Sequence, residues 1–453
     1  MSEEKNQKIG NRFYFNHRGI SHYIQDNNTS SNDVEFIMHN HKVYERDFSY
    51  RYFEMQSKYS DDLEGLIKYR QEFYKCVEEL AKEKINYLRY ENHSRAIIGE
   101  FKSSVSKKVF ENNRIESVDY TEFTYQHKCS NGGLISIDRM YLNKEIDCFG
   151  YDLRGWYPYL LGGSNLQIPT KRGKEIHLDN LTFPLPYGYY KVHISGCNKS
   201  DNKTRDFYKL FALSEKDVYT HYSLNFVDDF NKRLPEEDRI KMTLNQDDTY
   251  NAYVFDESCL IQPKKIFRLW YEKMTQLKTK YPKNILIKRM ASSLWGYLAK
   301  FKRLDFEEGD EDLYDLDLSD IADWDKNTKY KVLDESDDID GFHHFEVLDT
   351  EHLFECIIFN NDNNEYHFSR LKSFLTSYSR TQIAKNLILR ENILDKVIRV
   401  QTDSVVLTEP HNFTKTGLKD LLIPEAKTTL KKVIWYSVNS NNYTPKRAMF
   451  LND

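Results

Sequence analysis

Residues 396–408 read KVIRVQTDSVVLT, two apolar runs on either side of a polar tip, Gln401-Thr402-Asp403-Ser404. Apolar runs of this length flanking turn-forming residues predict strand, turn and strand. The tip carries a carboxylate, Asp403, between two hydroxyls, Thr402 and Ser404. Such a group is poorly placed for burial and well placed to hold a metal. An Asp favoured by ordinary turn chemistry would look the same.

Working outward, a second strand is expected at Cys148–Leu153, where Phe149, Tyr151 and Leu153 alternate with Cys148, Gly150 and Asp152. Asp152 ends it, and Pro158 forces the chain out of it. A carboxylate at a strand end can hold a divalent ion against a triphosphate, or simply cap the next turn. Between these strands, residues 263–303 read as helices, with Pro263 and Pro282 each near a first-turn position. There, Lys288, Ser292 and Trp295 fall at i, i+4 and i+7 on one face. A cation, a hydroxyl and an indole suit a triphosphate and a base; a surface helix with one buried Trp would also satisfy the pattern.

Elsewhere, Leu63, Leu66, Ile67, Phe73, Tyr74, Val77, Leu80 and Ala81 mark an amphipathic helix over 61–84. Residues 1–60 have no assignable pattern. A boundary is expected near 115–130, where SNGGL marks a turn, and 162–180 is loop-like. YGYYKVHI, RDFYKLFAL and TYNAYVF, within 180–260, read as strands, and 370–391 as a helix. Strands, then helices, then strands imply an α+β fold with a mostly antiparallel sheet.

Taken together, DLRGWYP (152–158), KRMASSLWG (288–296) and RVQTDS (399–404) resemble motifs A, B and C of the family B DNA polymerases, D-x-x-S-L-Y-P, K-x-x-x-N-S-x-Y-G and Y-x-D-T-D-S. The 136 positions from Asp152 to Lys288 leave room for the large insertion of the protein-primed phage and plasmid branch. Cys129-Ser130-Asn131-Gly132-Gly133 resembles that branch's Y-x-G-G linker without its Tyr, and Pro184-Leu185-Pro186-Tyr187-Gly188 its P-Y-G turn. The helix around Phe374-Leu375-Thr376-Ser377-Tyr378 resembles the palm helix before motif C. Lys446-Arg447-Ala448 resembles the lead-in to the K-x-Y motif.

The resemblance implies a right-hand polymerase fold with an antiparallel palm sheet, helical fingers, insertions, an incomplete exonuclease-like N-terminal region and a truncated thumb. The expected division is an exonuclease remnant (1–118), palm with motif A (119–165), an insertion resembling terminal-protein region 1 (166–262), fingers (263–303), an acidic insertion (304–350), palm with motif C (351–423) and the start of the thumb (424–453). It implies template-directed deoxynucleotidyl transfer in phage or plasmid replication, protein-primed and without proofreading, by a complete enzyme or one subunit of a split one. Asp152 and Asp403 match the positions that hold two Mg²⁺ ions, with Mn²⁺ able to substitute. Leu153, Arg154, Gly155, Tyr157, Lys288, Ser292 and Trp295 match nucleotide-binding positions. Lys288 would contact the triphosphate, Tyr157 would exclude a 2′-hydroxyl, and the amides of 153–157 would cradle phosphates. Asn131, Gly132, Gly133, Thr402, Ser404, Lys446 and Arg447 match DNA-binding positions. Implied partners are primer–template DNA, dNTPs, a terminal protein, and separate exonuclease or thumb subunits.

Several positions depart from the family. Gln401 stands where motif C has its first Asp, Gly155 replaces a Ser, Ser292 an Asn and Trp295 a Tyr. Arg70 stands where the last exonuclease helix would carry a metal-binding Asp, and Asp62 and Glu64 read as helix-start charge. Gln401 and the short C-terminus support an alternative, a catalytically impaired DNA-binding remnant acting as an accessory or interfering replication protein.

Composition fits both readings. The 453 residues carry a formal charge of −5, yet residues 305–340 alone hold sixteen Asp/Glu and three Lys. Without that block the remainder carries +8, which suits a DNA channel, whereas the block itself would repel phosphates and face away from DNA or toward a basic partner. Deep acidity or bulk basicity is thereby excluded as the chain's defining property. Six scattered cysteines form no C-x-x-C pair, arguing against a zinc site or disulfide framework. No apolar run reaches the roughly 18 residues of a membrane helix, and MSEEKNQKIGNRF lacks a signal-peptide core. The expectation is a cytoplasmic protein, in a bacterial host if phage-encoded.

Overall fold

The computed structural model of the chain describes residues 7–9, 12–17, 20–25, 35–39, 42–46, 52–55, 63–90, 93–113, 115–116, 118, 120–129, 132–196, 202–299, 302–307, 343–347, 353–358, 368–437 and 440–441. Asn131, Lys446, Arg447 and residues 308–340 of the acidic block lie outside them. The chain divides into two compact units, residues 1–106 with 269–297, and residues 107–268 with 298–453.

The first unit opens with six strands, β1 (Gln7–Ile9), β2 (Arg12–His17), β3 (Ile20–Gln25), β4 (Glu35–His39), β5 (Lys42–Arg46) and β6 (Tyr52–Met55). Each pairs antiparallel with the next, forming a meander in chain order. Within the stretch where sequence expects an exonuclease remnant, this is the architecture the chain builds. Two helices follow, α1 (Leu63–Lys82) and α2 (His93–Ser104). Of the stripe expected from sequence, Phe73 and Leu80 are buried, Tyr74 and Val77 are partly buried and Ala81 is exposed, and Cys76, outside that stripe, is buried with them.

The second unit begins with α3 (Lys107–Asn112), α4 (Tyr120–Lys128), β7 (Ile135–Ile137), β8 (Glu145–Leu153) and α5 (Trp156–Gly162). An inserted layer comprises β9 (Ile168–Pro169), β10 (Lys174–Ile176), β11 (Gly188–Ser195), α6 (Asn202–Leu210), β12 (Val218–Thr220), α7 (His221–Asn231), β13 (Lys241–Leu244), β14 (Ala252–Val254) and β15 (Leu260–Ile261). Strands β10-β14-β11-β12 form its sheet, with β13 also paired to β11. Residues 205–210 of RDFYKLFAL are helical rather than extended as sequence predicted. Phe207 and Leu210 are buried at i and i+3, with Phe211 buried just past the helix end, a spacing that aromatic content disguises as a strand.

The chain then forms α8 (Lys264–Lys280), whose later turns belong to the first unit, and α9 (Ile285–Leu298). Trp270 packs edge-on against Phe101 of α2 at 5.8 Å. Asn284 bonds the Cys76 carbonyl at 3.0 Å and the Glu79 carboxylate at 2.8 Å. Its side-chain oxygen also accepts from the Leu286 and Ile287 amides, each at 3.0 Å, so Asn284 starts α9 and the start predicted at Pro282 falls in the preceding turn.

Back in the second unit, β16 (Lys302–Glu307), β17 (His343–Val347) and β18 (Leu353–Ile358) make a sheet in the order β16-β18-β17. Helix α10 (Ser369–Gln382) continues through a π-helical stretch, Ile383–Leu389. Its Phe374 stacks on Tyr189 at 4.8 Å and its Arg370 forms a buried ion pair with Glu122 of α4, so it joins the inserted layer to the body. The last strands are β19 (Val397–Gln401), β20 (Ser404–Leu407), β21 (Leu422–Ser437) and β22 (Ser440–Asn441). With β7 and β8 they form the central sheet, β22-β21-β8-β20-β19-β7, antiparallel in every named pairing. Cys148, Ile398, Val406, Val433 and Trp435 make one of its cores.

Candidate active site

The hairpin predicted at 396–408 is present, and its turn is two residues long. Gln401 pairs with Ser404, leaving Thr402 and Asp403 at the tip. Thr402 has φ +56°, a left-handed backbone that a β-branched residue adopts only under constraint from its surroundings. The constraint is visible: the Thr402 amide donates to the Leu134 carbonyl at 2.7 Å. A Cβ on Gly133 would lie 2.7 Å from Thr402 Oγ1, so only glycine lets the turn approach this closely. The Gly132-Gly133 turn therefore seats the hairpin tip, and Arg380 of α10 donates to the Gly132 carbonyl from behind.

Asp152 reaches the same place on the neighbouring strand. It stands opposite Ser404 in the β8–β20 ladder, and the Leu153 amide donates to the Asp403 carbonyl at 2.8 Å. Both aspartates are partly buried. The Arg154 amide donates to the Leu421 carbonyl at 2.8 Å, so the amides of Leu153 and Arg154 are taken up by the sheet. Gly155, at φ +61°, then turns the chain from β8 into α5.

Tyr157, in the first turn of α5, hydrogen-bonds Ser379 of α10. Burial, and then the nearby negative charge of Asp403, push its phenol up to about 12, so it stays protonated at neutral pH. Trp156 donates its indole N–H to the Ser379 hydroxyl at 2.7 Å. Ser379 and Arg380 were missed by sequence reasoning, which followed this helix only to Tyr378. One signal was available: α10 reads SRLKSFLTSYSR, and its hydroxyls and both arginines cannot all lie on a solvent face. Ser369, Arg370, Ser373, Thr376, Ser377, Ser379 and Arg380 are all buried.

On α9, Leu286, Ile287, Met290 and Leu294 form the buried face. Lys288 and Ser292 are exposed and Trp295 is half-buried on the other face. The Ser292 hydroxyl donates to the Lys288 carbonyl at 2.8 Å, a local bond within the helix. These residues belong to the first unit, and the two aspartates to the second.

The fold has a counterpart among solved structures. It is similar to phi29 DNA polymerase. The match to the complex with single-stranded DNA has a TM-score of 0.50 at 12% identity and covers 93% of this chain and 69% of that one. The ternary complex of phi29 DNA polymerase with primer–template DNA and incoming nucleotide gives a TM-score of 0.47 at 12% identity, covering 80% of this chain. This chain spans 56% of the polymerase in that complex. No family model and no curated protein matches the sequence. The phi29 DNA polymerase likeness thus concerns the fold.

Among the described residues, no group of three or more His, Cys, Asp or Glu side chains gathers to hold a metal. Asp152 and Asp403 bring two carboxylates to the same end of adjacent strands, and Gln401, at the base of the turn, brings an amide. Such hard oxygen donors fit Mg²⁺, which keeps waters and substrate phosphates among its ligands rather than an all-protein cage. Among the described residues, no helix is long and apolar enough to cross a membrane.

Proposed function

We propose that the chain is a template-directed DNA polymerase, acting in phage or plasmid replication from a protein primer. One observation carries this reading. Asp152 and Asp403, the two carboxylates matching motifs A and C, stand at the same end of adjacent strands, β8 and β20, above a hairpin seated on Gly133. Asp152 and Asp403 would hold two Mg²⁺ ions, or Mn²⁺ in their place. When bound, such ions activate the attacking hydroxyl and stabilise the charge developing on the phosphate.

The remaining roles belong to the chain. Tyr157, a neutral phenol, is proposed to exclude a ribose 2′-hydroxyl. Gly155 and the exposed Arg154 would border the triphosphate, with Leu153 holding the strand in register. On α9, Lys288 would supply a fixed cation and Ser292 and Trp295 would contact the nucleotide. Gly132, Gly133, Thr402 and Ser404, together with Asn131, Lys446 and Arg447, would follow the DNA. A terminal protein and separate exonuclease or thumb subunits are proposed partners.

The test is primer extension with the purified chain, primer–template DNA, dNTPs and Mg²⁺. Nucleotide addition is expected. Failure to add any nucleotide, even with a terminal protein and adjacent exonuclease or thumb chains, would overturn the reading. A second reading rests on Gln401, which closes the hairpin opposite Ser404 where the family has an acid. Under it the chain is a DNA-binding remnant, and calorimetry would detect DNA binding without dNTP binding.

A further inference from the structure

We propose that Ser379 is the positioning residue for Tyr157 and thereby sets how strongly the site discriminates deoxyribose from ribose. The inference rests on the polymerase reading above, in which Tyr157 meets the sugar.

An indole N–H can only donate, so the 2.7 Å contact from Trp156 Nε1 makes the Ser379 oxygen an acceptor. The hydroxyl keeps its proton and a second lone pair, and it shares a hydrogen bond with the Tyr157 phenol. Trp156 and Ser379 are 1% and 0% exposed, so water does not compete for either group. One buried hydroxyl thus joins two consecutive residues of α5 to α10.

This matters because α5 has only seven residues and enters through the left-handed Gly155. A helix of that length has little intrinsic stability, so its side chains take their orientation from what they pack against. α10 is twice as long. The next residue along it, Arg380, bonds the Gly132 carbonyl beneath the Thr402-Asp403 tip. Consecutive residues of α10 therefore position the tyrosine and brace the turn that seats Asp403. A nucleotide sugar approaching Tyr157 would meet a ring whose place is referenced to the same helix as the carboxylate.

Single-nucleotide incorporation by the full chain tests this, using dNTP and the matching rNTP on the same primer–template. Ser379→Ala should lower the ratio of rNTP to dNTP KM about fivefold, the worth of one net intramolecular hydrogen bond, with a smaller change in the kcat ratio. Tyr157→Phe removes the other end of the bond and should lower it similarly. The double variant should be no worse than either single one, because both act through one interaction. Ser379→Thr, which restores the hydroxyl, should recover discrimination. Thermal melts identify any variant that fails to fold, and Tyr157→Phe keeps the test open if Ser379→Ala does. Unchanged discrimination in a folded variant, or additive effects, would overturn the inference while leaving the polymerase reading intact. A wild-type chain that adds no nucleotide would instead remove the polymerase reading, and this inference with it.

Discussion

The amide of Leu153 donates to the carbonyl of Asp403 over 2.8 Å, locking the register between two strands whose sequence positions differ by 250. A slip of one residue would move every side chain of β20 to the opposite face. In the observed register, Asp152 and Asp403 end neighbouring strands together.

Replacing either carboxylate by its amide isostere should therefore remove activity without disturbing the sheet. Asp152→Asn and Asp403→Asn are each expected to slow primer extension by at least about 100-fold, the scale of losing one electrostatic contributor to a transition state. Circular dichroism and melting temperature should stay close to wild type. Near-normal extension by either variant would refute the assignment.

The hairpin tip permits a paired test of packing. Gly133→Ala places a Cβ 2.7 Å from Thr402 Oγ1 and 2.9 Å from its Cγ2. Overpacking of this kind costs about 1–3 kcal/mol, readable by urea denaturation. Adding Thr402→Gly should recover most of that loss, since it removes those atoms and suits the left-handed backbone at φ +56°. Additive losses in the double variant would show that the contact does not carry the effect.

How far these features were legible from sequence depends on whether the signal was local. The hairpin and β8 were visible because apolar runs end at turn residues within a few positions. α1 was visible through a helical stripe, and α8 and α9 through Pro263 and Pro282 near their starts. The six-stranded meander was not: its strands run three to six residues and mix polar with apolar side chains. Ser379 and Arg380 were hidden for another reason. A buried polar residue has no periodicity, and their partners Trp156 and Gly132 lie 223 and 248 residues away. For the candidate site, sequence singled out the two carboxylates through a resemblance, whereas the residues that brace their strands required three-dimensional structure.

The join between α4 and α10 should be sensitive to losing one partner. Arg370 is 1% exposed and Glu122 0%, and Arg370 Nη2 donates to Glu122 Oε2 at 2.7 Å. Gln126 also donates to Glu122, at 2.9 Å. Arg370→Met leaves a buried carboxylate without its main countercharge and should cost about 3–5 kcal/mol in urea denaturation. A combined Arg370→Met and Glu122→Leu variant removes both charges and should be markedly less destabilised than Arg370→Met. If the single change costs under about 1 kcal/mol, the pair does not hold the layers together.

A second buried carboxylate predicts a pH dependence. Glu391, 4% exposed, accepts from the amides of Thr414, Lys415 and Thr416 and contacts His411 Nε2 at 3.1 Å. Burial alone would raise its carboxyl; the bonds from His411 and the three amides outweigh burial and hold it below the ordinary value. The loop so gathered leads from β20 to Leu421, whose carbonyl receives the Arg154 amide, so Glu391 helps fix the end of β8. A carboxyl depressed in the folded state stabilises fully above its unfolded value, about 4.3. That contribution is lost as pH falls through the lower folded value. Glu391→Gln cannot ionise and should be less stable than wild type by about 1–3 kcal/mol at pH 7. Its deficit should narrow as the pH is lowered from about 4.3, because only the wild type loses a charge-assisted clip. Denaturant titrations of both chains at pH 7, 5, 4 and 3 measure the gap directly, and a gap independent of pH would show that Glu391 acts through packing rather than charge.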